Sequence, residues 1–180
     1  MFEGMKFTET KLPGVYVVEL ERHEDERGWF ARAWCREEFA THGLYADLAQ
    51  CNLSHNPQRG TVRGLHLQTA PHAEAKLVRC VAGAVHDVAL DLRPDSPTFK
   101  QSFSAELSAT NGVALFIPEG IAHGFQTLMD DTTLFYQMSV SYVPESVSGV
   151  RWNDPAFNIK WPIADPIVCS RDSAYPDFIA

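Results

Sequence analysis

Short apolar segments separated by glycine, proline, asparagine and aspartate recur along the chain, a pattern typical of short β-strands. They predict strands at Val15–Leu20, Leu77–Val81, Val85–Leu92, Ala114–Ile117 and Thr132–Val140. From Gln101 to Ser108 the apolar residues Phe103, Ala105 and Leu107 alternate with polar ones, so we expect one face of this strand to pack on a core and the other to meet water. Strands of this kind favour a sandwich or a barrel.

Helical periodicity is clearest at Arg36–His42, where Gly43 can end the helix by taking a left-handed conformation. From Pro144 onward, the spacing of proline and tryptophan predicts an irregular tail that packs through its aromatic rings. We therefore expect an all-β protein with short peripheral helices. Its 180 residues fit a single domain, residues 1–180, with a sizeable core.

Charge and cysteine content narrow the range of functions. The formal net charge is −8 and the 15 lysines and arginines are scattered, which argues against binding to nucleic acid. The amino terminus lacks the features of a signal peptide and no stretch reaches membrane-spanning length, so we expect a cytoplasmic protein without a membrane partner. The four cysteines, Cys35, Cys51, Cys80 and Cys169, lack CxxC spacing, and three lie within or beside apolar runs. Neither structural zinc nor a disulfide framework is expected.

Three side chains are candidates for acid–base chemistry. His66 follows Gly64, a residue that lets another group approach the backbone closely, and is either a general base or a hydrogen-bonded core histidine. Lys76 opens a strand and would need an anionic partner, for which Asp87 is one candidate, unless it faces solvent. Tyr136 is expected to carry its hydroxyl inward, where it serves either the chemistry or a bond to the backbone.

A phosphate-bearing ligand would need guanidinium groups, because their planar fork grips two oxygens at once. The candidates are Arg27, Arg63, Arg79, Arg151 and Arg171. Asp172 follows the last of these, and an aspartate beside a pocket histidine can orient the ring and stabilise its protonated form. Spacing alone does not show that contact.

The segment Gly112–His123 resembles the second sequence motif of the cupins, small double-stranded β-barrels of the jelly-roll type whose pocket residues lie on inward strand faces. The first cupin motif is half present: His66 stands where a metal-binding His-x-His would begin, but the second position is Gln68. The resemblance implies a cupin barrel without the usual metal ligands.

Six motifs together resemble the dTDP-4-dehydrorhamnose 3,5-epimerase family, in order and over nearly the whole chain. They span residues 25–30, 50–54, 62–66, 76–80, 117–125 and 149–155. The resemblance implies an epimerase acting on C3, C5 or both of a nucleotide-linked 4-keto-6-deoxyhexose, in deoxysugar biosynthesis, without metal or organic cofactor.

The resemblance also assigns roles to residues. It implies that His66 removes the C–H proton, Asp172 holds its imidazole, Lys76 stabilises the enolate oxygen and Tyr136 returns a proton from the opposite face. The implied substrate-binding residues are Arg27, Gln50, Asn52, Arg63, His123 and Tyr142. In the family the Arg27 segment comes from a neighbouring subunit, which implies a homodimer with an exchanged amino-terminal strand.

Two positions depart from the family pattern. Leu67 is aliphatic where the residue after the histidine is typically aromatic, which would reshape one pocket wall. Arg32 replaces a glutamate that accepts a hydrogen bond from thymine, and an arginine cannot accept one. Base preference is therefore predicted to be looser or shifted, unless Arg32 faces solvent or pairs with Glu37 or Glu38.

Other functions stay open from the sequence alone. An isomerase or dehydratase on the same ligand would keep His66 and the phosphate-binding residues but change the protonation step. A non-catalytic cupin that binds a sugar nucleotide would not need both a base and an acid. A metal-dependent cupin is disfavoured by Gln68.

Overall fold

Two antiparallel sheets form the body of the molecule in the computed structural model, which describes residues 4–45 and 47–179. The strands are β1 (Met5–Glu9), β2 (Tyr16–Leu20), β3 (His23–Asp25), β4 (Gly28–Phe30), β5 (Gln50–Asn56), β6 (Thr61–Gln68), β7 (Lys76–Ala82), β8 (Ala84–Asp91), β9 (Ser102–Ser108), β10 (Ala114–Ile117), β11 (Ile121–Thr127), β12 (Thr132–Met138), β13 (Val147–Gly149) and β14 (Ile167–Val168). The helices are α1 (Arg36–Thr41) and α2 (Ser170–Ser173), with a 3-10 turn at Pro144–Ser146.

Each sheet contributes one wall of a barrel. The first sheet has the order β1-β2-β10-β7-β12-β5, and the second has the order β13-β6-β11-β8-β9 with β14 added parallel to β6. Strands β3 and β4 form a separate hairpin. Sheet neighbours distant in sequence, such as β10 and β7, are brought together by crossover connections, as in a jelly roll.

The main core lies between the two sheets. It combines side chains from both walls, including Val78 and Leu134 of the first sheet with Val85, Leu107 and Phe125 of the second. Side chains alternate along a strand, so every second residue of β7, β11 and β12 points into this space. The inward-facing side chains are apolar in the closed part of the barrel and polar where the barrel opens.

Both sheets are also covered on the outside. Phe39 of α1 packs against Val18, Leu77 and Phe116 on the outer face of the first sheet. The carboxy-terminal tail covers the second sheet, where Phe157 joins a cluster with side chains of β6, β8 and β11. This double coverage explains why β7 reads as a nearly continuous buried run rather than an alternating one.

The predicted strands are confirmed, with Ala114–Ile117 found at the expected bounds and the others shifted by one or two residues at their ends. Helix α1 ends one residue earlier than expected, and Gly43 has φ +68°, as a left-handed helix terminus requires. The tail is more regular than predicted, because β13 and β14 each add to β6.

The cysteines only partly match the expectation. All four thiols are free, but Cys80 alone among them is buried, while Cys51 and Cys169 are exposed. Cys80 belongs to the main core and Cys35 packs against the cluster under α1, so two thiols rather than the predicted three behave as small hydrophobes. Cys51 lies on the edge strand β5 and Cys169 in the tail, where both meet solvent. Among residues 4–45 and 47–179, no helix is long and apolar enough to cross a membrane.

Candidate active site

The barrel opens into a cavity of about 690 Å³ between the two sheets. Eight of the ten predicted site residues line it: Asn52, Arg63, His66, Lys76, His123, Tyr136, Tyr142 and Asp172. The first sheet supplies Lys76 from β7 and Tyr136 from β12, whereas the second supplies His66 from β6 and His123 from β11. Groups on opposite walls can therefore reach the two faces of one bound ligand.

His66 is held by an aspartate 106 residues further along the chain. Its Nε2 lies 2.8 Å from Oδ1 of Asp172, which is only 1% exposed and lies on α2. The second carboxylate oxygen, Oδ2, accepts the backbone N–H of Gly64 at 3.0 Å. With Nε2–H donating to Asp172, the free lone pair of the imidazole is on Nδ1, as a general base requires.

Gly64 makes this arrangement possible, as the sequence suggested. It has φ +126°, and a Cβ at this position would lie 2.5 Å from Cα of Gly124 and 2.8 Å from the carbonyl oxygen of His123. Strands β6 and β11 approach so closely here that no side chain fits. The register between them shifts between His123 and Phe125, at the same place.

Asp172 is ionised despite its burial. Burial alone would raise the pKa of the carboxyl, but hydrogen bonds from His66, from the Gly64 N–H and from Arg171 outweigh it and hold the pKa well below its usual range. A buried carboxylate so stabilised can orient the imidazole and offset the charge of the imidazolium that forms on proton abstraction.

Lys76 has a partner that the sequence analysis missed. Its Nζ lies 2.6 Å from Oε1 of Glu74, and each side chain is 7% exposed. The suggested partner Asp87 was wrong, because that carboxylate lies within the second sheet and pairs with His123. The alternative of a solvent-facing lysine was also wrong. Glu74 lies just before β7 in an irregular segment, so the alternation of side chains along the strand could not predict which way it points.

His123 forms a second histidine–aspartate pair beside Tyr136. Its Nε2 lies 2.8 Å from Oδ1 of Asp87, and the rings of His123 and Tyr136 meet edge to face with centroids 6.0 Å apart. Burial, followed by the negative charge of Asp87, raises the pKa of Tyr136. The phenol therefore stays protonated at neutral pH and available as a proton donor.

Two of the five candidate arginines line the cavity, Arg63 and Arg171. Arg63 donates from Nε to Oδ1 of Asn56 at 2.7 Å. Arg171 donates from Nε to Oδ1 of Asp172 at 3.1 Å, and its Nη2 lies 3.3 Å from Nε2 of His66. These two side chains place positive charge on the wall formed by β6 and α2.

The other three arginines have structural partners. Arg79 is buried and donates to the carbonyl oxygens of Gly112 and Ala33, and burial lowers its pKa to about 10. Arg151 pairs with Asp177 in the tail. Arg27 lies on the β3–β4 hairpin, 84% exposed, with its Nη2 2.5 Å from Oδ2 of Asp25. The structure thus does not bring Arg27 to the cavity of its own chain.

Gln50 also lies outside the cavity and acts on its wall instead. Its Oε1 accepts the backbone N–H of Tyr142 at 2.8 Å. Gln68 supports the same loop, because its Oε1 accepts the N–H of Val143 at 2.7 Å and its Nε2 donates to the carbonyl of Ser141. The two glutamines therefore fix the backbone that carries Tyr142.

Arg32 forms an ion pair with Glu38 of α1, one of the alternatives to base recognition that the sequence left open. Leu67 does lie on the cavity wall, next to His66. In the part of the chain that the structure describes, no group of three or more histidine, cysteine, aspartate or glutamate side chains could hold a metal ion. The amide of Gln68 is committed to backbone groups.

Two sheets closed around one polar cavity, with acid–base groups on both walls, define a cupin-type β-barrel enzyme. The sequence model for dTDP-4-dehydrorhamnose 3,5-epimerase matches residues 9–179. This chain belongs to the dTDP-4-dehydrorhamnose 3,5-epimerase family, whose members are isomerases.

Individual relatives agree with this assignment. The chain is 42% identical over 175 residues to dTDP-4-dehydrorhamnose 3,5-epimerase of Sinorhizobium fredii, covering 97% of this chain and 90% of that protein. The crystal structure of dTDP-4-dehydrorhamnose 3,5-epimerase from Bacillus anthracis, with TDP and PPi bound, is 39% identical and has a TM-score of 0.94, covering 97% of this chain and all of that one. A 4-keto-6-deoxy sugar epimerase from the novobiocin biosynthetic gene cluster of Streptomyces spheroides is 37% identical with a TM-score of 0.92, covering 97% and 88% of the two chains.

Proposed function

We propose that this protein inverts C3 and C5 of a dTDP-linked 4-keto-6-deoxyhexose as a step in deoxysugar biosynthesis. One observation carries the proposal: the His66–Asp172 pair and the side chains of Lys76 and Tyr136 line one cavity from opposite sheets. Inversion needs a proton removed on one face of the sugar and another delivered on the opposite face. A binding protein needs neither group.

The reaction begins at the carbon next to the keto group. The C4 carbonyl acidifies the C–H bonds at C3 and C5, and Nδ1 of His66 takes the proton while the C–H electron pair moves toward the carbonyl oxygen. The imidazolium that forms is stabilised by the ionised Asp172 at 2.8 Å. The ammonium of Lys76 offsets the negative charge that develops on the enolate oxygen.

Reprotonation comes from the opposite wall. The hydroxyl of Tyr136 gives its proton to the same carbon on the other face, so the centre is inverted and the C4 carbonyl re-forms. The resulting phenolate takes up a proton from solvent and the imidazolium of His66 releases one, which restores both groups before the next proton transfer. Because Tyr136 has a raised pKa, it enters each cycle in the protonated form.

The nucleotide lies in the part of the cavity lined by Asn52, Arg63, Tyr142 and Arg171. The two guanidinium groups take the diphosphate, and the exposed ring of Tyr142 stacks on the base. Nucleotide-bound relatives support a nucleotide-sugar substrate. Since Arg32 is engaged by Glu38, a thymine preference is compatible with its presence.

We further propose a homodimer in which the β3–β4 hairpin of each chain lies across the cavity of the other. Trp29 and Phe30 of this hairpin are exposed, as is Leu53 on the edge strand β5 beside the cavity. Exchange would bring Arg27 of the partner subunit to the diphosphate. The expected cytoplasmic location stays a prediction.

Mixed dimers test the exchange. In an exchanged dimer each site combines His66 of one chain with Arg27 of the partner subunit. When unfolded Arg27→Ala and His66→Asn chains are mixed and refolded, one site of each mixed dimer is therefore intact, and activity should return in about a quarter of all sites. A monomer by light scattering, or no recovery in mixed dimers, would argue against exchange.

The catalytic proposal is tested by NMR of dTDP-4-keto-6-deoxyglucose incubated with the protein in deuterated water. Epimerisation with solvent deuterium at C3 and C5 is expected. Deuterium uptake without net inversion would favour an isomerase or dehydratase. Tight dTDP binding without any exchange would leave a sugar-nucleotide-binding cupin, and inversion at one carbon alone would restrict the activity to that centre.

A further inference from the structure

We propose that Glu74 is a positioning residue that pairs with the ammonium group of Lys76 and holds it within the cavity. The inference rests on the proposed function, in which Lys76 stabilises the enolate. It adds a residue for which neither the motifs nor the predicted site provides a role.

The geometry of the pair supports this role. Glu74 Oε1 lies 2.6 Å from Lys76 Nζ and both side chains are 7% exposed, so solvent does little to screen their attraction. A buried lysine without a counter-charge favours its neutral form. A neutral amine cannot offset the charge of an enolate, so loss of the Glu74 charge would remove the electrostatic part of catalysis as pH rises.

No other carboxylate lining the cavity is placed to replace Glu74. Among the described residues that line it, the only carboxylates are Glu74 and Asp172, and Asp172 is engaged by His66, Arg171 and the Gly64 N–H. The remaining charged or titratable groups facing this space are His55 on β5, Arg63 and His66 on β6, His123 on β11, Tyr136 on β12, Tyr142, Cys169 and Arg171. The permanent charges among these are positive, and they favour the neutral form of a nearby lysine.

The segment carrying Glu74 is also fixed to the barrel. The backbone N–H of Ala75 donates to Oγ of Ser139 at 2.8 Å, and the N–H of Ser139 donates to the carbonyl of Ala75 at 3.0 Å. Nε2 of Gln68 holds the carbonyl of His72 at 3.0 Å. The carboxylate is thus presented to Lys76 by a backbone tied at both ends.

Glu74→Gln tests the role, because it keeps the shape and removes the charge. The measurement is kcat/KM for epimerisation from pH 6 to 9.5, expressed as the ratio of variant to wild type. The ratio should fall at least about tenfold between pH 6.5 and pH 9, because a buried amine without a counter-charge favours its neutral form as pH rises. Glu106→Gln, on the exposed face of β9, serves as the matched control and should follow wild type.

Two further variants keep the test decisive. Glu74→Asp retains the charge and should recover most of the alkaline activity. Lys76→Arg places a permanently charged group at the site, so adding Glu74→Gln to it should leave the pH profile unchanged in shape.

The outcomes separate this inference from the proposed function. The inference would be overturned if the kcat/KM ratio of Glu74→Gln to wild type did not change with pH. It would also be overturned if the loss of kcat/KM came with lower dTDP affinity and a lower melting temperature, because Glu74 would then have only a structural role. A wild-type protein that shows no exchange would instead refute the proposed function, and with it the role of Glu74.

Discussion

Asp172→Asn removes one negative charge from the centre of the site while keeping its shape. Three donors converge on this carboxylate in the structure: Nε2–H of His66, the backbone N–H of Gly64 and Nε–H of Arg171. A carboxylate accepts all three, but an amide has only one oxygen. The NH₂ group of the substituted amide must therefore face either the buried N–H of Gly64 or Nε2 of His66.

Either choice damages catalysis. If the amide oxygen stays with Gly64, the NH₂ group faces His66 and favours the tautomer that carries its proton on Nδ1, which blocks the base. The loss of the charge also removes the stabilisation of the imidazolium. By analogy with other histidine–aspartate pairs, kcat should fall by roughly 10³–10⁴-fold, or about 4–5.5 kcal/mol of barrier. One unsatisfied buried donor should lower the free energy of unfolding by about 1–3 kcal/mol.

The assay combines epimerisation kinetics, calorimetric titration with dTDP and urea unfolding. Asp154→Asn is the matched control, because Asp154 is also buried and accepts two backbone N–H groups, but lies away from the cavity. It should lose stability with little change in kcat. A kcat for Asp172→Asn within tenfold of wild type would refute the view that this carboxylate sets the tautomer and charge of His66.

Three other predictions concern metal, packing and acid stability. Activity should survive exhaustive chelation, because Gln68 replaces an imidazole ligand; stoichiometric iron, zinc or manganese whose removal abolishes turnover would contradict this. Gly64→Ala should destabilise the fold by more than about 3 kcal/mol or prevent expression, since its Cβ would lie 2.5 Å from the Gly124 backbone; a melting temperature within a few degrees of wild type would refute the close approach. Hydrogen bonds hold the pKa values of Asp91 and Asp172 below the ordinary value of 3.8 in the folded protein. The stability that these two carboxylates contribute is therefore fully present above pH 3.8 and is lost as the pH falls below it. Urea unfolding at pH 7 and pH 3 should show this loss, and Asp91→Asn should reduce it.

Much of the fold was predictable because strands in a barrel obey local rules. The alternation placed Lys76 on the face of Val78 and Cys80, although the sequence left a solvent-facing lysine open, and the strand at Ala114–Ile117 followed from its apolar run between a glycine and a proline. The parallel pairing of β14 with β6 was not predictable, since it joins a two-residue segment to a strand 106 positions earlier.

The site divides in the same way. The close approach at Gly64 was expected from residue type, whereas the contact between His66 and Asp172 spans 106 residues and needed the family resemblance to be anticipated. Glu74 was missed because it lies in an irregular loop, where no periodicity indicates which way a side chain points. The family resemblance assigned Gln50 to ligand binding, whereas in the structure its Oε1 accepts the backbone N–H of Tyr142.

The most direct test of the central claim, two-faced proton transfer between His66 and Tyr136, follows deuterium and configuration at C3 and C5 by NMR in deuterated water. The wild type should exchange and invert both centres, and His66→Asn should do neither. Tyr136→Phe should still exchange while inversion slows by roughly 10²–10⁴-fold, because the base remains and the acid is lost. Normal activity of His66→Asn, or equal loss of exchange in both variants, would contradict separate roles for a base and an acid on opposite walls.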